Sequence, residues 1–364
     1  TPTATVIAAT VAATSTAAVT PTAVAPAAAS RWTYLTYRDG VSRLAVDEAR
    51  GVVWAVGWGG AVAWDARDGI WRGYDRDDGL PSLRLSSVAV GAGGTVWVGT
   101  RGDGAARLGG DGRWHALSFG DGPWDDDVLA IAADPDGSTW FGTSAGASRL
   151  RPDGTLVHYR RDRGEVAGTV TSIAIDGAGN RWFGTYYSGL SVLRPDGRWE
   201  TFKAQAAGSG LSFDLVLDVQ VDRAGRVWVI SAGPSPDGQP GFLDAVDIVA
   251  SDGTWSAVDP PDRPADTLLR GLAFDDQDRP WFAADDGLYA PQGDGRWQRN
   301  TAVDGLPADA AAQLVFDRAG DLWAATGAGL GRRAPDGTWR AYRTGGLPSP
   351  FVNAVAVDTA GAGW

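Results

Sequence analysis

Residues with metal-ligand chemistry occur in "DPDGSTWFGT" (134–143), a D-x-D-G run of the kind that opens a calcium loop. A full loop of that type carries a glutamate at its twelfth position, and counted from Asp134 that position is Ala145. The triplet Asp125, Asp126 and Asp127 is denser in carboxylate and is the one cation candidate, with ordinary solvated charge as its alternative. His115 and His158 form no ligand pair. With no cysteine, thiolate zinc sites, disulfides and cysteine nucleophiles are excluded together. No Ser-His-Asp spacing occurs, so the expectation is a protein that is not an enzyme and uses no metal or cofactor.

A second chemistry is available to aromatic rings placed beside carboxylates. Sugars stack on π-faces and offer hydroxyls to acceptors. Such residues occur in "GWGGA" with Trp58, "TRGDGA" with Arg101 and Asp103, and "TYYSG" with Tyr186 and Tyr187. "FGDGPWDDDV" adds Trp124 and the acidic triplet, and "AADDG" adds Asp285 and Asp286. For each of them an ordinary solvated loop is the alternative.

An internal repeat positions these residues. D-x-x-G-x-x-W recurs with its tryptophan at Trp54, Trp97, Trp140, Trp182, Trp228, Trp281, Trp323 and Trp364, at intervals of 41 to 53 residues. An aspartate stands six residues ahead of the tryptophan in most copies. Asp47 is displaced by one, and Gly91 replaces the acid in the second copy. A glycine stands three ahead, except for Asp278. Between these marks lie four short apolar runs per copy, rich in β-branched residues and separated by turn residues, so each unit is four strands. The aspartate caps the turn and the glycine supplies positive φ. A second tryptophan set (Trp71, Trp114, Trp199, Trp255, Trp297, Trp339) follows the second turn. Together the two sets account for 14 of the 18 tryptophans, as fillers of the gaps between sheets.

Four antiparallel strands per unit predict an all-β propeller over 32–364, with seven complete blades and a partial or composite eighth. The eighth would join Trp32–Tyr37 to "FVNAVAVDTAGAGW" (351–364), and the ring is expected to be cut short at its C-terminal end. Residues 1–31 are rich in Thr, Ala and Pro and read as a tether. The chain starts at Thr1 and holds no methionine, so a leader is expected to be missing. "SAGPSPDGQPGFLDAVD" (231–247) lengthens a second-to-third loop, either as a surface excursion or as a lid over the central channel.

Laid out in register, "DGLPSLRLSSVAVGAGGTVWVGT" (78–100), "DPDGSTWFGTSAGASRL" (134–150) and "DGAGNRWFGTYYSGLSVL" (176–193) resemble the two-component regulator propeller repeat. The fifth and sixth copies depart from it, with "WVISAG" and "WFAADDG" in place of W-x-G-T. The resemblance implies the extracytoplasmic sensor region of a hybrid histidine kinase, or a related secreted or lipid-anchored protein.

Composition narrows the partners. The net charge of −12 opposes nucleic acid and anionic membrane surfaces. No run approaches the roughly 18 apolar residues of a membrane span. The expectation is therefore a non-catalytic, extracytoplasmic (periplasmic, cell-surface or secreted) propeller that recognises a small glycan or peptide, or a protein partner. The alternatives are a structural interaction ring of a secreted assembly, or a propeller lyase or hydrolase. The second-to-third loops and the blade-to-blade connections share one face and vary from copy to copy, so specificity is expected there.

Overall fold

Each described D-x-x-G copy closes its hairpin with the same backbone bond, from the N–H of the fourth residue to the aspartate carbonyl. In the third copy Gly137 N donates to Asp134 O at 2.9 Å, and Asp134 Oδ1 accepts from Asp136 N at 3.2 Å. Gly137 takes φ +84°, the left-handed region that favours glycine. Asp278, the one non-glycine at this place, holds the same conformation at φ +60°.

The six-residue spacing has a cause that the sequence does not show. Trp140 lies opposite Ala132 in the hairpin, so its indole shares a face with Asp134 two residues further on. The second carboxylate oxygen of Asp134 then accepts Trp140 Nε1–H at 2.9 Å. The bond recurs as Trp182–Asp176 at 2.9 Å, Trp228–Asp222 at 2.8 Å, Trp281–Asp275 at 3.3 Å and Trp323–Asp317 at 2.8 Å. Where the first copy lengthens the turn, Asp47 pairs with Arg50 instead, and Trp54 Nε1 is buried without a partner.

The computed structural model describes residues 41–117, 126–234, 242–258, 264, 267–292 and 296–343. Within them, seven four-stranded antiparallel sheets follow in chain order, each made of consecutive strands. Their inner strands are Val41–Asp47, Leu85–Val90, Val128–Ala133, Val170–Ile175, Leu215–Val221, Leu269–Phe274 and Ala311–Phe316. The sheets form a seven-bladed propeller whose seams are aromatic. Trp97 meets Phe141 at 5.3 Å between ring centroids, Trp140 meets Phe183 at 5.4 Å, and Trp281 meets Phe316 at 5.7 Å.

Blade 7 packs directly on blade 1. Trp323 lies 4.9 Å from Trp64, the two blades share one apolar cluster, and Leu44 N donates to Gln313 Oε1 at 2.5 Å. The ring is therefore closed at seven. This corrects the expectation of a composite eighth blade, because the closing seam leaves no gap between blades 7 and 1. Residues 32–37 and 351–364 lie outside the described residues.

Most of the insertion in blade 5 is paired strand. Val227–Pro234 and Phe242–Val249 run eight residues each, in register from Val227 opposite Val249 to Pro234 opposite Phe242. Residues 235–241 lie outside the described residues. Among the described residues no helix is long and apolar enough to cross a membrane.

The inner strands are also joined side by side. Thr171 Oγ1 donates to Val216 O of the next blade at 2.8 Å, and Ser86 Oγ donates to Val128 O of its own neighbour. Thr171→Val keeps the shape and removes the donor. It should lower unfolding free energy by about 1 kcal/mol in urea titration, and no loss would remove this bond from the account.

Candidate functional site at the channel mouth

All seven inner strands carry a register shift near their start, skipping Ser42, Ser86, Leu129, Thr171, Leu217, Arg270 and Ala312 against the neighbouring strand. A bulge bends the strand and re-aims side chains. Repeated seven times at one level, it lines the axis with the residues at and beside the shift.

The result is an axial cavity of about 220 Å³ to which every blade contributes. Its polar lining is Arg43, Ser87, Thr171, Ser172, Asp218, Gln220, Arg270 and Gln313. Asp218 is held by Val219 N–H at 2.9 Å, Leu272 N–H at 3.1 Å and Gln220 Nε2 at 3.2 Å. Burial nevertheless pushes its carboxyl above the ordinary range, against the pull of those donors and of Arg43. Burial lowers Arg43 from its usual value, with Asp218 opposing that effect and Arg101 adding to it. Arg43 donates to Ser42 O at 2.9 Å, and among the described residues no carboxylate is within ion-pair distance of it. The cavity thus places a carboxylate that holds its proton unusually well in the field of an unpaired guanidinium.

A pH dependence follows from Asp218. Its folded pKa exceeds that of the unfolded chain, near 3.9, so the native state binds the extra proton. The stability this contributes is full below the unfolded value and is lost as pH rises through the folded one. Asp218→Asn should therefore gain stability relative to the native protein as pH rises above about 4. A difference in melting temperature that stays flat from acid to neutral pH would contradict this.

The residues expected from sequence are placed as follows. Trp58 is 47% exposed, and the Arg84 guanidinium covers one ring face at 4.9 Å. Arg101 N bonds Arg84 O at 3.1 Å, and the Arg101 side chain faces Asp127 at 3.8 Å, which links these loops on the connection face. Asp103 N bonds Thr100 Oγ1 at 2.9 Å within its loop. Tyr186 and Tyr187 stay about half exposed and pack edge to face at 4.6 Å, Tyr187 at φ +57°. Asp285 is clamped by Arg270 at 2.7 and 2.6 Å, and Asp286 accepts from Tyr289 Oη at 2.9 Å and Arg299 at 2.8 Å, so both carboxylates have internal partners. Through Arg270, Asp285 reaches the cavity wall, and Arg101 acts electrostatically on Arg43. Trp124 and Asp125 lie outside the described residues, and Asp126 O accepts from Gly104 N at 2.8 Å. Among the described residues no three His, Asp or Glu side chains gather as metal ligands would.

Sequence reasoning missed Arg43, Asp218, Gln220, Arg270 and Gln313. A signal existed: "VSRLAVD", "LVLDVQV" and "AAQLVF" each break an apolar inner strand with a polar residue at nearly one position.

Fold and cavity together define a seven-bladed propeller with a charged axial pocket. No protein family and no curated protein matches the chain in sequence. Among solved structures it is similar to a streptogramin B lyase, with TM-score 0.66 and 15% identity over 83% of this chain and 95% of that one. It is similar to PorZ, a bacterial surface component of the type-IX secretion system of Porphyromonas gingivalis, with TM-score 0.62 and 19% identity over 88% of this chain and 49% of that one. The extracellular domain of a hybrid two-component system from B. thetaiotaomicron aligns at TM-score 0.46 and 16% identity, over 90% of this chain and 52% of that one. The propeller fold is thus shared with a bacterial surface component and with an enzyme. The expectation of a non-enzymatic protein is corrected here: the lyase matches over nearly its full length, so this architecture carries catalysis. The cavity residues Arg43 and Asp218 come from different blades and form no spacing motif in the sequence.

Proposed function

We propose that the ring is a lyase-type enzyme that binds an acidic sugar at the channel mouth. The observation that carries this is the Arg43–Asp218 combination in the axial cavity. Arg43 binds the sugar carboxylate and neutralises it, which acidifies the adjacent C–H. Asp218, with its raised proton affinity, takes that proton near neutral pH. The released electron pair forms a C=C bond as the neighbouring glycosidic C–O bond breaks, and the leaving oxygen is protonated from solvent. Gln313, whose Oε1 accepts from Leu44 N, offers its Nε2–H to a ring hydroxyl, and the rim aromatics Trp58, Tyr186 and Tyr187 offer stacking faces.

Incubation with polygalacturonate tests it through the ultraviolet absorbance of an unsaturated product. Asp218→Asn should lose turnover at least ~10²-fold while still binding the polymer in calorimetry. Absence of both product and binding heat with the native protein would sink the reading.

A second reading, recognition of a protein partner through the same face, is favoured by the half-exposed Tyr186–Tyr187 pair. An extracytoplasmic position and a tether over 1–31 belong to the proposal and are supported by the uncharged Thr/Ala/Pro composition of residues 1–30. A sensor role in two-component signalling is supported by the repeat pattern alone.

A further inference from the structure

On the opposite face, where the Asp-Gly turns lie, blades 1 and 2 both lack the indole bond of their sisters, and blade 2 leaves an open space in its place. Five blades set an aspartate against the indole N–H of the second-strand tryptophan. Blade 2 has Gly91 there, yet Trp97 keeps the shared register, opposite Ala89 as Trp140 is opposite Ala132. Trp97 is 6% exposed, and among the described residues nothing accepts from its Nε1–H. The Arg107 guanidinium lies 5.9 Å from the same ring and, unlike Arg149 in blade 3 with Asp136 or Arg332 in blade 7 with Asp321, has no carboxylate partner among the described residues. The space is open: a cavity of about 210 Å³ between the turns of blades 2 and 3 is lined by Gly91, Trp97 and Arg107. Asp134 borders it, but its carboxylate is committed to Trp140 Nε1 at 2.9 Å and Arg181 Nε at 2.8 Å.

We infer that this cavity is a binding site for a small carboxylic acid, whose carboxylate replaces the missing aspartate side chain, accepting from Trp97 Nε1–H and pairing with Arg107. A planar carboxylate matches both donors, and a charge-assisted bond to a guanidinium is about twice as strong as a neutral one. The volume exceeds that of a single carboxylate several-fold, since one water's share of liquid is about 30 Å³, so an acid of a few carbons fits. The site is independent of the channel and of any reaction there.

Gly91→Asp is the direct test, because it restores the sister arrangement. Gly91 is extended at φ −89°, ψ 178°, and an added Cβ would meet Thr95 O at 3.6 Å and Ala133 Cβ at 3.7 Å, which is ordinary contact. Titration with acetate at constant ionic strength is followed in the indole N–H region of a ¹H–¹⁵N spectrum. The Trp97 signal is the one absent from Trp97→Phe. Acetate should shift this signal saturably, chloride should not, and Arg107→Gln should weaken the response by about tenfold, the equivalent of about 1.4 kcal/mol. Gly91→Asp should move the signal without ligand and abolish the response. An unresponsive Trp97 signal, a shift that chloride reproduces, or a Gly91→Asp protein that still titrates would each overturn the site.

Discussion

Asp134→Ala should destabilise the propeller by about 3–5 kcal/mol, the range expected when one partner of a buried charge pair is removed. Asp134 is 3% exposed and serves three donors at once: Trp140 Nε1 and Asp136 N in its own blade, and Arg181 Nε in the next. Deleting the carboxylate leaves the indole N–H without its acceptor, and leaves Arg181, whose side chain is 15% exposed, with the Gly179 carbonyl at 2.8 Å and, as carboxylate partner, only the more exposed Asp136 at 3.1 Å. Asp134→Asn should recover part of the loss, since a carbonyl in place of Oδ2 still accepts from Trp140 and Arg181, while the neutral amide no longer balances the guanidinium charge or accepts from Asp136 N. Urea unfolding of the two variants decides the matter. Equal losses for Ala and Asn would mean that the indole bond contributes nothing.

Trp323→Ala should cost a similar ~3–5 kcal/mol, as large-to-small changes at fully buried aromatics do. Trp323 is 0% exposed, stacks 5.9 Å from Tyr342, and meets Trp64 across the closing seam at 4.9 Å. The location of the damage separates it from Trp140→Ala, which empties an interior seam of equal burial. Amide exchange in Trp323→Ala should speed up first in Val41–Asp47 and Ala311–Phe316, the strands on either side of the closure. Protection lost evenly around the ring would show that the seam between blades 7 and 1 is no special weak point.

The repeat was legible because its parts act within one hairpin. Aspartate, glycine and tryptophan lie within seven residues, so pairing, turn and indole bond are settled locally, and chain order displays them. Position 278 shows the limit of reading by residue type, since an aspartate there takes the glycine conformation. Asp285 and Asp286 show another limit. Their exposure to a ligand could not be judged without Arg270 and Arg299, which neutralise them from other strands. The seven complete blades were read correctly, but a composite eighth was expected for the same reason, because the terminal segments looked like missing strands until Trp64 and Trp323 were seen in contact.

By itself, then, the sequence determined the blade: four strands, an Asp-Gly turn, and a tryptophan turned toward the neighbouring sheet. Hydrogen bonding and side-chain alternation over a few residues are enough to specify that unit. Closure at seven, the axial cavity and the vacancy beside Trp97 were decided only in the tertiary structure. Each depends on residues from different blades, brought together when the ring buries its aromatic seams. Arg43 and Asp218 sit four blades apart in the chain and meet in one cavity only because the seven inner strands converge on the axis.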